Sequence, residues 1–242
     1  MPHAKGLMRH VIQFVFWAAI LWGSVGFAVA EQIDAENLPM YGQPGVARPE
    51  NLKKADETFV RDATLKFGSR LVASRAMVTQ GWAAVRSRNL DLAMERFNQS
   101  WLLNPKNYQS FWGFGAVLSE RGKLADAIEQ LGTAKDLIDD PGQMNALLSD
   151  IGAVNSEYAA HLPADKQLER AHHFVVANQS FMESLDRDPN YAAAWREWAI
   201  SLYQQQRYSE AWLKAQRARE LKAEPLPPDL LRDLQNKVSN AK

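Results

Sequence analysis

The sequence contains no cysteine, which excludes disulfides, thiolate zinc sites, iron–sulfur clusters and thiol nucleophiles together. Neither charge is in excess. The 28 basic and 28 acidic residues among 242 cancel, so no overall field draws the chain to nucleic acid, anionic lipid or acidic substrates. It has no G-x-S-x-G, no phosphate loop ending in G-K-[ST] and no H-E-x-x-H, which removes the common routes to an activated serine, a bound nucleotide or a catalytic zinc. No cofactor and no metal are expected, and no enzyme activity. What is present is 46% apolar residues, enough to bury a core.

Lys5 and Arg9 precede an uncharged run from Val11 to Ala30 that closes on Ala28-Val29-Ala30, the three-part layout of a secretory signal. Its densest apolar part, Val11 to Trp22, is twelve residues long before Gly23, Ser24 and Gly26 loosen it. A membrane-spanning helix needs about twenty strongly apolar residues. The expectation is that residues 1–30 are removed and that an exported chain begins at Glu31 with 26 basic and 28 acidic residues. The alternative is an uncleaved anchor over residues 11–30, the one case in which a membrane is a partner.

A period of 34 residues organises most of the rest: Gly81 is followed by Gly115, Ala93 by Ala127, Phe97 by Leu131 and Ser100 by Ala134, and later Ala177 by Ala211, Phe181 by Ala215 and Ser184 by Ala218. Within a unit, Ala93, Phe97 and Ser100 step by four and three along one helical face. Antiparallel helices approach closely where a glycine or alanine removes the side chain and a large residue opposite fills the gap.

These residues, with Leu118, Trp195, Trp198, Ala199, Leu202 and the boundary prolines Pro105 and Pro189, resemble the tetratricopeptide repeat. The resemblance covers residues 74–223 and implies an all-α superhelical solenoid of about four helix pairs, near 74–106, 108–140, 145–188 and 192–223. The third unit departs from the pattern: Gly152 and Ala177 are 25 apart where Gly81 to Ala93 gives 12, so thirteen residues are inserted near 161–173. With Pro163 inside it, the insertion is expected to emerge from one edge as a loop or as helix extensions.

Before the repeats, residues 31–48 carry Pro39, Gly42, Pro44 and Gly45 and read as an extended arm, followed by a covering helix over 49–68 with Leu52, Ala55, Phe59, Ala63 and Phe67 on one stripe. After them, residues 227–240 form an amphipathic cap with Leu230, Leu231, Leu234 and Val238 inward and Arg232, Asp233, Gln235 and Lys237 outward. A signal, an arm and then such repeats is similar to exported bacterial tetratricopeptide proteins, which implies a periplasmic location.

Two clusters invite a chemical reading. His161, His172 and His173 with Asp165 and Glu169 lack the paired spacing of a zinc site, and they read as a solvated insertion. Asp139-Asp140 precede Pro141-Gly142, where aspartates turn the chain. The tryptophans say more. The resemblance implies that Trp195 and Trp198 pack in their helix pair and that Trp82 and Trp112 line the concave groove. It places Arg75, Val78 and Arg86 beside Trp82, Gln109 and Ser119 beside Trp112, and Arg196, Ile200 and Tyr203 in the last unit on the same groove.

Aromatic and guanidinium groups are the usual anchors of protein interfaces, so this set suits a protein or peptide partner. The reading is a non-enzymatic scaffold whose groove binds such a partner. The alternatives are a small-molecule or glycan module using the groove tryptophans, an enzyme whose site the sequence does not disclose, and a groove filled by the chain's own arm.

Overall fold

The computed structural model describes residues 37–42 and 48–240; the expected signal over 1–30 and residues 31–36 and 43–47 of the arm lie outside the described residues. Among the described residues there are ten α-helices, one short 3-10 turn at Pro39–Gly42 and no strand. The protein is an all-α helical solenoid. After α1 (Glu50–Phe67), the pairs are α2 (Arg70–Arg86) with α3 (Leu90–Leu103), α4 (Tyr108–Glu120) with α5 (Leu124–Leu137), α6 (Met144–His161) with α7 (Gln167–Arg187), and α8 (Ala192–Gln204) with α9 (Tyr208–Glu220); α10 (Pro228–Ser239) follows. None of these helices is long and apolar enough to cross a membrane.

Chain punctuation places the helices. Gly68 ends α1 in the left-handed region at φ 83°, and Ser69 opens α2 by accepting from the Val72 amide at 3.2 Å. Asn89 and Asn107 cap α3 and α4 in the same way.

Small residues then bring the helices together. A Cβ added to Gly81 would lie 2.6 Å from the Phe97 ring, one on Gly115 2.6 Å from Leu131, and one on Gly152 2.8 Å from Phe181. The glycine and its large partner therefore touch inside the first three pairs, at the spacing of 34 for Gly81 and Gly115 and at 37 for Gly152. A second glycine, Gly113 on α4, abuts Phe97 from the next pair, where a Cβ would lie 2.3 Å from the ring. The joint between the first two pairs is reinforced by buried polar groups. Ser74 and Ser100 hydroxyls meet at 2.9 Å, Asn107 Nδ2 donates to both, and Ser110 donates to Ser100 at 2.8 Å.

The inserted residues do not form a long loop. They lengthen both helices of the third pair, to 18 and 21 residues against 13 or 14 in the second and fourth, with a tight connection at 162–166. Arg170 closes that connection by donating to the carbonyls of Ala159, Leu162 and Pro163.

At the carboxyl end Leu234 is fully buried, and Leu230, Leu231 and Val238 pack on the α8–α9 core. One expected outward residue of this cap turns inward. Asp233 accepts from the Tyr203 hydroxyl at 2.6 Å, which holds that phenol up at about 12, because the amphipathic wheel says nothing of a tyrosine presented by a neighbouring helix.

The described part of the arm lies on α3. The buried Asn98 side chain donates to the Leu38 carbonyl at 2.9 Å and accepts from the Tyr41 amide at 3.3 Å, while Arg121 donates to Asn37. Arg48 stacks over the buried Tyr41 ring at 3.7 Å and pairs with Asp56 of α1 at 2.8 Å. Met40 and Tyr41 sit at φ 52° and 55°, a conformation that non-glycine residues hold only when their surroundings enforce it. Asn98→Ala removes the two-sided clamp on this strained turn. Hydrogen exchange is expected to show the Tyr41 amide losing protection while amides in α4 and α5 keep theirs; equal protection in wild type and variant would mean the turn is held by other contacts.

Candidate functional site

The expected groove residues separate into three groups. Arg75 and Arg86 are exposed, Gln109 and Ser119 half-buried, and Arg75 and Gln109 line one recess. Val78 (4% exposed) and Trp112 (8%) are buried in the core and are not free anchors, which corrects their reading as groove contacts. Trp82 is half-buried, its ring edge-on to Phe97 at 5.4 Å and to Trp112 at 5.9 Å. The two tryptophans thus pack on each other and on the core. They do not form an open stacking platform.

The third group, Arg196, Ile200 and Tyr203, belongs to the carboxyl-terminal joint. Arg196 Nε donates to the Glu224 carbonyl at 3.1 Å, and Ile200 and Tyr203 pack in the cluster completed by α10. Family positions alone did not reveal that the cap engages these side chains. Trp195 and Trp198 stack at 6.2 Å beneath the Lys214 ammonium, and their indole N–H groups donate to the Pro189 carbonyl and to Asn178. These are packing roles.

Trp112 has an acid partner that sequence reasoning missed. Its indole N–H donates to Asp150 of α6 at 2.7 Å, linking the second and third pairs. Burial raises the Asp150 carboxyl to about 6; the Trp112 bond opposes that shift, and the Glu197 charge on α8 adds to it. Glu197 is itself held up by burial, with Arg196 acting against it. One signal existed in the sequence, since Asp150 is the lone charged residue between Met144 and Ser156.

Beside this joint an open recess of about 350 Å3 lies between α2, the start of α4 and the α5–α6 turn. Arg75 and Thr79 line it from α2, Lys106 and Gln109 from the entry to α4, and Asp139 and Asp140 from the turn. Asp140 accepts from the Gly142 amide at 2.9 Å, yet no ion pair joins the two cations and two acids here among the described residues. Tyr108 in the same wall has its hydroxyl raised by burial and then by Asp140 and Asp139. The recess therefore offers donors and acceptors of both charges, poised for groups from outside.

The histidines of the insertion are engaged with their own helices. His173 meets Asn155 Oδ1 at 2.8 Å and stands edge-on to Tyr158 at 4.6 Å, and its pKa is lowered by burial and then by His172, with Glu169 acting against them. Glu169 accepts from Tyr158 and pairs with Lys166. No group of side chains suited to a metal ion occurs among the described residues.

No family model matches the chain, and no curated protein matches it.

Proposed function

We propose that this chain is a non-enzymatic binding scaffold of the tetratricopeptide kind, exported to the periplasm, that seats a peptide segment of a protein partner on the face shared by its first helices. The recess between α2, α4 and the α5–α6 turn carries this reading. Arg75, Lys106 and Gln109 stand opposite Asp139 and Asp140 without pairing, a mixture that suits backbone amides and side chains of both signs. The described part of the arm is bound to α3 and leaves this recess open. The small-large contacts Gly81–Phe97, Gly115–Leu131 and Gly152–Phe181 support the family reading, and the layout of residues 1–30 supports export. Packing of Trp82 against Trp112 gives a glycan no exposed aromatic platform, which favours the peptide over the sugar.

The test is selection of peptides from a random displayed library on the chain from Glu31, followed by affinity measurement with a synthetic winner. Arg75→Ala with Lys106→Ala is expected to weaken binding about tenfold or more, because charge-assisted hydrogen bonds contribute about 1.5–3 kcal/mol each. Arg217→Ala, distant on α9, serves as the control. Unchanged affinity in the double variant, or an equal loss in the control, would refute the assignment of the recess.

A further inference from the structure

The joint between the last helix pair and its cap encloses a second space that the scaffold reading does not use. Between α9 and the 221–227 connection to α10 lies a cavity of about 160 Å3. Its walls are Trp212, Ala215, Ala223, Pro225, Leu226 and Leu231, all apolar. A dry apolar cavity of about 150 Å3 is large enough to take benzene. The polar part of the lining is Arg196, Arg219, Glu224 and the amides of Gln216 and Gln235.

The charges in that lining are unequal in their commitments. Arg196 donates to the Glu224 carbonyl and pairs with Glu197, and the Glu224 carboxylate also acts on Glu197. The neighbouring arginines are likewise satisfied, Arg207 by Glu210 at 2.6 Å and Arg217 by Glu220 at 3.0 Å. Arg219 differs: it is exposed, lines the cavity and has no ion pair among the described residues. An apolar slot with one uncommitted guanidinium in its lining has the polarity of a site for a small amphipathic anion.

We propose that this cavity binds a small apolar carboxylate, its hydrocarbon body between Trp212 and Leu231 and its carboxylate at Arg219. Alanines at 215, 218 and 223 create the space, and Trp212 supplies a flat wall along it. Arg219, with two amide side chains beside it, supplies the orientation.

Calorimetric titration with 3-phenylpropionate tests this, with the indole resonance of Trp212 as a second readout. A ligand of this size is expected to bind with a Kd on the order of 1 mM or tighter. Both 3-phenylpropanol and 3-phenylpropylamine should bind about tenfold more weakly or not at all, since each lacks the anion that Arg219 pairs with. Arg219→Gln, an exposed change that leaves the core intact, should weaken the carboxylate about tenfold and leave the alcohol unchanged. Ala223→Leu should remove binding of all three by filling the slot. Equal binding of acid and alcohol, wild-type affinity in Arg219→Gln, or no shift of the Trp212 resonance at saturating acid would each overturn the proposal.

Discussion

Replacing Gly113 with alanine is expected to destabilise the protein by about 3 kcal/mol, as for other overpacked cores at the upper end of that range. The added Cβ would lie 2.3 Å from Phe97 Cε1 and 2.4 Å from two further ring carbons. The ring has nowhere to go. Gly81 bounds it on the α2 side, where a Cβ would come within 2.6 Å, and Trp82 and Phe114 stand edge-on to it. Phe97 is fully buried, so relief requires separating α2 from α3 or α4 from the first pair. Gly132 provides the contrast. It lies inside α5, and a Cβ there meets nothing within 4 Å, so Gly132→Ala is expected to stabilise by about 1 kcal/mol through helix propensity alone. Chemical denaturation of both variants checks the pair. Phe97→Leu in the Gly113→Ala background should recover part of the loss, since the two changes share one contact. A Gly113→Ala protein as stable as wild type would show that the first two pairs are loosely joined.

This contact marks how far the sequence could be read. A period of 34 compares a residue with its counterpart in the next unit, and it therefore exposes contacts that recur inside each pair, such as Gly81 with Phe97 and Gly115 with Leu131. Gly113 packs across the joint between pairs, and no later unit repeats it in the same form. The helical extensions of α6 and α7 were one of two forms the sequence left open: Pro163 marks a break, but a break is equally compatible with a loop and with two longer helices around a tight turn.

The candidate site was legible in part. Arg75 and Gln109, both named from the sequence, line one recess. Trp112 does not remain exposed, because its fate depends on α6. A residue number on α4 cannot report that Asp150 will face it one pair later, nor that Glu224 and α10 will engage Arg196, Ile200 and Tyr203. Burial is a property of the assembled array, and it decides which aromatic is an anchor and which is a strut.

Asp150 gives the second large effect, and its sign follows from the raised carboxyl. In the unfolded chain this acid titrates near its ordinary value of 3.8, whereas in the fold it titrates at about 6. Between those values the folded state binds the extra proton, so the contribution of Asp150 to stability is fully present below the unfolded value and is lost as pH rises through about 6. Integrated over that window, the loss is about 3 kcal/mol at neutral pH and above. Asp150→Asn keeps an oxygen acceptor for the Trp112 indole and carries no charge. The variant is therefore expected to match wild type near pH 4 and to exceed it by up to about 3 kcal/mol at pH 8. Glu197 is raised in the same direction, by burial first, but it titrates in both proteins. The difference between the two stability curves thus reports Asp150. Urea denaturation at pH 4, 5, 6, 7 and 8 measures that difference directly. A constant gap would mean that Asp150 ionises in the fold as it does in water, and a variant less stable at pH 8 would mean that the ionised bond from Trp112 outweighs the cost of burying the charge.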